Sequence, residues 1–327
     1  RLKNYSAADF QKITGVDQSE DNGSYQLFAT IPNDYQYSRE QWNMQNIGME
    51  TAWDETTGSN NVVVAVIDTG LKMGHEDLAN QVWSNTGEIP DNGLDDDLNG
   101  YADDVHGYDF VNNSNNPADD YGHGSAVASI VGAEGNNGVG MAGINWQTSI
   151  MPLKVCDAGG WCTWWSVAEA IYYAADNGAK VINLSLGGYY DSFYMRNAIE
   201  YAANKGVTIV AASGNEYGQE ISYPARYSQV IAVGAVDKND VKADFSNAGP
   251  ELALVAPGVS VYTAYADNDT SYQTWSGTSF AAPHVAGAAA LLLSYKADLS
   301  SNQIKNYLYS SAHQVAGMAG QTWTAEY

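Results

Sequence analysis

The sequence has little cysteine and few positive charges. It contains two cysteines, and 14 lysine and arginine residues stand against 38 aspartate and glutamate residues, for a formal net charge of −24 over 327 residues. Such a surface repels nucleic acid and anionic membranes, so we exclude both as partners, and it favours solubility and cation binding. No apolar run approaches the roughly 18 residues of a membrane-spanning helix, which excludes a transmembrane segment.

The sequence begins at Arg1 rather than at methionine, and it shows no signal-peptide pattern. We therefore expect that a leader has been removed and that the protein is secreted and extracellular. Cys156 and Cys162 lie close together in the sequence. In an extracellular protein such a pair favours a disulfide bond, and a pair of buried thiols is the alternative.

Short apolar segments alternate with helical patterns along most of the chain. Strands are predicted at 62–67, 149–155, 180–184, 207–212 and 230–236, and helices at 164–177 and 192–205, each helix followed by a glycine that ends it. This alternation, with strands that are apolar throughout, predicts an α/β fold. The sheet should be doubly wound and mostly parallel, with helices on both faces and functional residues at the carboxyl ends of its strands.

The stretch 277–293 places a serine ahead of a long run of small and apolar residues. Because the run is apolar on all sides, it predicts a buried helix. We place Pro283 in the first turn of this helix, where its missing N–H costs nothing. Ser279 then lies at the positive end of the helix. Its backbone N–H has no helical partner there and can stabilise an oxygen that becomes negative.

A hydroxyl nucleophile needs a base and an orienting acid from elsewhere in the chain. Asp68 ends the predicted strand 62–67, and His123 lies between two glycines where a helix is expected to begin. Asn215 follows the apolar strand 207–212, where its side-chain amide can donate to an oxyanion. These three residues and Ser279 are the candidate catalytic residues.

The order Asp68, His123, Ser279, with Asn215 between the last two, resembles that of the subtilisin-like serine proteases (subtilases), in particular the secreted bacterial subtilisin and thermitase types. The resemblance covers most of residues 31–327, which we expect to form the catalytic domain, with an acidic calcium-loop insertion at about 85–120. Residues 1–30 would be an N-terminal extension or a propeptide remnant. The resemblance implies a serine endopeptidase that forms an acyl-enzyme on Ser279, with His123 as the base and Asp68 as its orienting acid.

The resemblance also implies a substrate pocket and a set of partners. The pocket residues are Ser185, Leu186, Gly187, Ala212, Ser213 and Gly214, with Ser222 at the floor. A small neutral floor predicts large apolar or aromatic side chains at P1, the residue before the cleaved bond. The implied partners are protein and peptide substrates, a cleaved propeptide and a proteinaceous inhibitor. A cleaved propeptide implies synthesis as a zymogen, and the enzyme is expected to be a monomer.

Three tryptophans lie in or next to the cysteine loop, at Trp161, Trp164 and Trp165. In the subtilase pattern this segment flanks the more distant substrate subsites. A buried tryptophan cluster is the alternative explanation.

Acidic residues are concentrated in one region: residues 91–120 hold nine aspartates, and residues 73–153 contain no lysine or arginine. Residues 95–104 follow the start of a calcium-binding loop, with oxygens at positions one, three, five and seven and a glycine at six. The loop ligands are Asp95, Asp97, Asn99 and the Tyr101 carbonyl, and Asp103 or Asp104 replaces the glutamate absent from position twelve. A solvated acidic loop is the alternative.

Two further calcium sites are implied by the resemblance alone. The first joins Asp34, Asp77 and Asn137 to backbone carbonyls near Glu134, Val139 and Met141. The second joins Asp109 to Ser114 and Asn116.

Two other functions remain open on the sequence. The chain could be a non-catalytic binding protein built on the subtilase fold. It could also use the same active site for transpeptidation or for limited processing of one partner.

Overall fold

A computed structural model describes residues 29–313 of the chain. Its centre is a seven-stranded sheet in the spatial order β2-β3-β1-β4-β5-β6-β7, in which every neighbouring pair is parallel. The strands are β1 (Gly58–Asp68), β2 (Tyr108–Asp109), β3 (Gln147–Lys154), β4 (Val181–Leu184), β5 (Thr208–Ala212), β6 (Val230–Val236) and β7 (Leu252–Pro257). Residues 1–28, and with them most of the predicted N-terminal extension, lie outside the described residues.

Helices and one antiparallel hairpin complete the described fold. The α-helices are α1 (Tyr37–Glu40), α2 (Trp42–Asn46), α3 (Met49–Ala52), α4 (His123–Gly132), α5 (Trp164–Asp176), α6 (Phe193–Asn204), α7 (Thr278–Tyr295) and α8 (Ser301–Ser311), with a 3-10 helix at Ala79–Gln81. The hairpin pairs β8 (Val261–Ala264) with β9 (Tyr272–Trp275). Between residues 29 and 313, no helix combines the length and the apolarity needed to cross a bilayer.

Both faces of the sheet are covered, as predicted. Successive side chains of a strand point to opposite faces. On β1, Ala65 and Ile67 pack in the cluster that includes α5 and α6. Val64 packs with the small residues of α7, and Val66 packs with the apolar residues of α4. The α/β architecture with helices on both faces is therefore confirmed.

The five strands and two helices that were predicted agree with the structure to within a few residues. Helix α5 begins at a capping residue, because the Thr163 hydroxyl accepts a hydrogen bond from Ser166 N at 3.1 Å. Gly178 and Gly206 follow α5 and α6 with φ of +86° and +84°, a backbone conformation that glycine adopts without strain. Strands β2 and β7 and the β8–β9 hairpin were not predicted.

The placement of Pro283 in the first turn of its helix is wrong. Helix α7 begins at Thr278, so Pro283 is its sixth residue and lies in the interior. A proline there cannot donate to the carbonyl four residues earlier, which belongs to Ser279. The Ser185 hydroxyl donates to that carbonyl instead, at 2.7 Å. A side chain from the end of β4 thus replaces the missing helical hydrogen bond beside the candidate nucleophile.

The cysteine loop that follows β3 is closed by a disulfide between Cys156 and Cys162, so the alternative of two free thiols is wrong. The three tryptophans of this segment are exposed. Trp161 is 80%, Trp164 51% and Trp165 57% accessible to solvent, so the alternative of a buried tryptophan cluster is also wrong.

Candidate active site

The four candidate catalytic residues come from four elements that meet at the carboxyl edge of the sheet. Asp68 ends β1, His123 begins α4, Asn215 follows β5, and Ser279 is the second residue of α7. Functional residues are expected at this edge of a parallel sheet, because the connecting loops converge there.

Asp68 and His123 form a hydrogen-bonded pair. His123 Nδ1 lies 2.7 Å from Asp68 Oδ1, and the Asp68 carboxylate, 2% exposed, also accepts from Thr69 N at 2.8 Å. Burial favours the neutral imidazole, but the charge and hydrogen bond of Asp68, with the charge of Asp119, outweigh burial and raise the pKa of His123. An Nδ1–H donated to Asp68 leaves Nε2 as the atom that can accept a proton.

Ser279 precedes Phe280, the residue of α7 that contacts the imidazole, and within the described residues no hydrogen bond joins Ser279 to His123. The ring of Phe280, the following residue, is 5.4 Å from the His123 ring, centroid to centroid. In this conformation the Ser279 hydroxyl donates to Ser185 O at 3.1 Å. Catalytic hydrogen bonds often form only when substrate is bound, so this contact does not remove Ser279 as a nucleophile.

Asn215 is fixed against the start of α7. Its Oδ1 accepts from Thr278 N at 2.8 Å and from Thr278 Oγ1 at 3.0 Å. Asn215 makes both of these hydrogen bonds through its amide oxygen. Its amide nitrogen, Nδ2, can therefore donate to an anion. The N-terminal N–H groups of α7, including that of Ser279, lie beside it.

Among the predicted pocket residues, Ser185 is in direct contact with Ser279, and Ser213 and Ser222 are in contact with each other. Ser185 contacts Ser279 through both its hydroxyl and its carbonyl. The floor residue Ser222 is bound to the opposite wall, since its N and Oγ both donate to Ser213 O, at 3.0 and 3.2 Å. A Cβ on Gly187 would lie 2.5 Å from Ser222 Oγ. The backbone can therefore approach Ser222 this closely only because residue 187 is glycine.

The other residues predicted to form the pocket wall lie at the end of β5 and in the segments that follow β4 and β5. Ala212 is buried at the end of β5, Gly214 donates to Thr278 Oγ1 at 3.2 Å, and Leu186 packs against the core. Behind Gly214, the carboxylate of Glu216 accepts from Asn247 Nδ2 at 2.6 Å.

A buried lysine next to the site was not predicted. Lys154, 1% exposed, ends β3 and pairs in register with Asp68. Its ammonium donates to Thr69 O, Cys156 O and Asp120 Oδ1, at 2.8, 2.9 and 2.6 Å. The signal in the sequence was a single lysine at the end of an apolar strand, after 81 residues without a positive charge, since 153 − 73 + 1 = 81.

Asp34 and Asp77 lie together, with oxygens suited to a cation. Asp34 Oδ2 accepts from Asn136 N at 2.6 Å, whereas Asp34 Oδ1 is buried without a hydrogen-bond partner. Burial raises the pKa of both carboxyls to about 6, and the charge of Asp77 adds to the shift at Asp34. A buried orphan oxygen beside a second carboxylate is what a hard cation such as Ca²⁺ would satisfy.

The segment 134–141 wraps Asp77. Glu134 N donates to Asp77 O, and Met141 N donates to Asp77 Oδ2, at 2.8 and 2.9 Å. Asn137 Nδ2 donates to Asp77 Oδ1, while Asn137 Oδ1 accepts from Val139 N. Asn137 thus turns its Nδ2 toward the Asp77 carboxylate, and a turn of the amide would direct its oxygen there instead.

In the acidic loop, two of the predicted ligands lie close to a carboxylate that was not predicted. Carboxylate oxygens of Asp95, Asp97 and Glu88 lie within 4.8 Å of one another. Glu88 was missed because it precedes the loop motif by seven residues, 95 − 88 = 7. Its Oε1 accepts from the backbone of residues 96 and 97, which brings it into the loop.

The other predicted ligands of the acidic loop have partners within the protein. Asn99 Oδ1 accepts from Tyr101 N at 2.8 Å, and Asp103 accepts from the backbone N–H groups of residues 92 and 93. Asp104 is fully buried and accepts from Asn85, Asn99 and the Tyr173 hydroxyl, so it attaches the loop to the core.

The second site implied by the resemblance stays a prediction. Asp109 accepts from Val111 N and Asn112 N, at 2.8 and 3.0 Å, and pairs with Ser114 through backbone hydrogen bonds only. Asn116 is exposed. These contacts do not gather side-chain oxygens around one point.

Comparisons with known proteins show the family to which the chain belongs. Residues 59–325 match the model of the subtilase family. The chain is 41% identical over 289 residues to the thermophilic serine proteinase of Bacillus sp. (strain AK1), covering 88% of this chain and 66% of that protein. It is 39% identical over 292 residues to thermitase from Thermoactinomyces vulgaris, covering 89% of this chain and 95% of that protein.

A solved structure gives the same result. The crystal structure of a cold-adapted subtilisin-like serine proteinase matches with a TM-score of 0.63 and 31% identity, covering 78% of this chain and 84% of that chain. The family match spans more than half of the chain, and two relatives of about 40% identity cover almost nine-tenths of it. The chain therefore belongs to the subtilase family of serine endopeptidases.

Proposed function

We propose that the protein is a secreted, calcium-stabilised endopeptidase that hydrolyses peptide bonds through an acyl-enzyme on Ser279. The observation that carries the proposal is the Asp68–His123 hydrogen bond of 2.7 Å beside the N-terminus of α7. A buried carboxylate, an imidazole and a serine at a helix N-terminus are the groups that acyl transfer needs.

In the proposed mechanism each side chain has one role. Ser279 Oγ attacks the substrate carbonyl carbon and gives its proton to His123 Nε2, and Asp68 stabilises the imidazolium that forms. The developing oxyanion accepts from Asn215 Nδ2 and from the Ser279 N–H. His123 then protonates the leaving amine, and a water molecule activated by the same imidazole hydrolyses the acyl-enzyme.

A fluorophosphonate probe tests this function on the unaltered protein. The probe should attach to Ser279, as identified by peptide mapping, because an activated serine attacks phosphorus as it attacks a carbonyl. A folded protein that remains unlabelled would favour the non-catalytic binding protein. Product analysis by mass spectrometry separates hydrolysis from transpeptidation.

We also propose that the enzyme prefers large apolar or aromatic P1 residues. Ser222 at the pocket floor is a small neutral side chain whose hydroxyl is used by Ser213 O. In a library of otherwise identical peptides, phenylalanine or leucine at P1 should be cleaved about tenfold or more faster than aspartate or lysine, because the floor offers no charge to pair with theirs. Strict cleavage after arginine would contradict the proposal.

Calcium would be held first by Asp34 and Asp77, with the carbonyls of Glu134, Val139 and Met141 and a reoriented Asn137 as the remaining ligands. The unpartnered Asp34 Oδ1 supports this set. A second ion would be held by Glu88, Asp95 and Asp97. Bound calcium would stabilise the fold by neutralising these carboxylates.

The disulfide supports secretion, since such bonds persist mainly in oxidising compartments. Protein and peptide substrates follow from the proposed activity. Synthesis as a zymogen with a cleaved propeptide, regulation by a proteinaceous inhibitor and a monomeric state remain proposals that rest on the family resemblance.

A further inference from the structure

One carboxylate next to the active site has no role in the mechanism above. Asp119 Oδ1 accepts from Thr69 Oγ1, Tyr121 N and Gly122 N, at 2.8, 3.1 and 2.8 Å. Asp119 Oδ2 accepts from Ser125 N and Ser125 Oγ, at 2.9 and 2.7 Å. Five hydrogen bonds to one half-buried loop carboxylate are more than capping a single turn requires.

These bonds join the two halves of the Asp68–His123 pair. Thr69 follows Asp68 directly, and its Oγ1 accepts from Gly124 N at 2.8 Å while donating to Asp119. Tyr121, Gly122 and Ser125 flank His123 on both sides. The carboxylate therefore fixes the end of β1 that carries Asp68 to the start of α4 that carries His123.

The charges around His123 make Asp119 the second anion that acts on the ring. Asp68 faces the ring from β1, and Asp119 acts on it from the segment before α4. The ammonium of Lys154, on β3, is directed at Thr69 O, Cys156 O and Asp120.

The other neighbours of the imidazole are uncharged. Helix α7 presents the Phe280 ring, and Tyr265 lies against Gly122 from the hairpin side. All five donors to Asp119 are neutral N–H or O–H groups.

We propose that Asp119 is a positioning residue of the peptidase reaction: it holds His123 against Asp68, and its charge sets the pH range in which His123 works as a base. The inference rests on the proposed function of Ser279 and His123. Asp119 does not touch the reacting atoms, so its effect passes through the imidazole.

The test is the pH dependence of kcat/KM and of fluorophosphonate labelling in Asp119→Asn. Asparagine keeps the shape but removes the charge that favours the protonated ring. The acid limb should move to lower pH by about half a unit or more, because His123 loses its proton more easily. The maximal rate should fall as well, since Ser125 N loses its acceptor. An acid limb at the same pH as in the parent would overturn the proposal.

Asp120→Asn is the charge-matched control. The Asp120 side chain is 48% exposed and directed at Lys154, so water screens its charge from His123. Its acid limb should move by less than a third of the Asp119→Asn shift. An equal shift would show that any nearby charge acts alike and would overturn the assignment to Asp119.

Ser125→Ala separates hydrogen bonding from charge. It removes one hydrogen bond to Asp119 and keeps the carboxylate, so stability should fall while the acid limb stays in place. Fluorophosphonate labelling reports only folded enzyme. A low folded yield of Asp119→Asn therefore does not obscure the acid limb of its pH profile. If that variant does not fold at all, Ser125→Ala decides: an unshifted limb supports the role of charge, and a shift of about half a unit overturns it.

The result can be told apart from failure of the proposed function. Peptidase activity that survives Ser279→Ala would refute the catalytic assignment itself. An enzyme that depends on Ser279, but whose acid limb is unaffected by Asp119→Asn, would refute only the role of Asp119.

Discussion

Replacing Ser279 with alanine is expected to lower kcat by about 10⁴-fold or more, the loss typical of serine proteases without their nucleophile. The substitution removes one oxygen whose hydrogen bond, to Ser185 O at 3.1 Å, is long for a hydroxyl donor. Stability should therefore change little, and the oxyanion donors of Asn215 and α7 should remain in place. Hydrolysis of a chromogenic peptide and of casein measures the loss, and circular dichroism checks the fold.

Ser294→Ala is the matched control for this substitution. Ser294 lies on the same helix, and its hydroxyl donates to Ala290 O at 3.0 Å, away from the active site. This variant should keep the parent rate within a factor of about two, because it removes a half-buried hydroxyl that donates within its own helix, away from the catalytic groups. If Ser279→Ala cleaves casein as fast as Ser294→Ala does, the nucleophile is a different group and the proposed mechanism is wrong.

The parts of the fold that a periodic pattern could predict are those that bury apolar residues on both sides. Strand β1 was predicted because residues 62–67 are uniformly apolar, and the structure buries Val64 and Ile67 on opposite faces. The β8–β9 hairpin was missed because β9, Tyr272–Trp275, is half exposed and carries no such pattern. The pairing of β9 with β8 depends on contacts with the rest of the fold, so the local sequence alone does not predict it.

In the candidate active site too, some residues could be predicted from the sequence and others could not. Asp68, His123, Asn215 and Ser279 could be named because each lies in a recognisable motif at or close to the end of an element. The role of Ser185 as the substitute donor for Pro283 could not, because the two residues are almost 100 positions apart, 283 − 185 = 98. Asp119 was seen only as one of nine aspartates, since nothing in its neighbours tells a solvated carboxylate from one with five donors.

Removing calcium is expected to lower the melting temperature by about 5 to 15 °C. A ligand that binds only the folded state at 100 to 1,000 times its Kd stabilises by about 3 to 4 kcal/mol, and in a protein of this size each kcal/mol is about 2 to 4 °C. The measurement belongs in the Ser279→Ala variant, where autolysis cannot remove unfolded protein. Scanning calorimetry with calcium and with a chelator gives the shift. Magnesium should not restore the melting temperature, because it prefers a smaller octahedral site that retains several waters. Equal melting temperatures with calcium and with chelator would contradict calcium stabilisation.

Two further variants in the same background assign the shift to a site. Asp77→Asn removes the buried charge beside the unpartnered Asp34 Oδ1, and Glu88→Gln removes one of three carboxylates from the acidic loop. If the Asp34–Asp77 site holds the tighter ion, Asp77→Asn should abolish most of the chelator effect, whereas Glu88→Gln should keep more than half of it. Asp77→Asn should also lose less stability without calcium than with it, because burying a neutral amide costs less than burying an unpaired charge. A chelator effect that survives Asp77→Asn and disappears in Glu88→Gln would place the stabilising ion in the acidic loop instead.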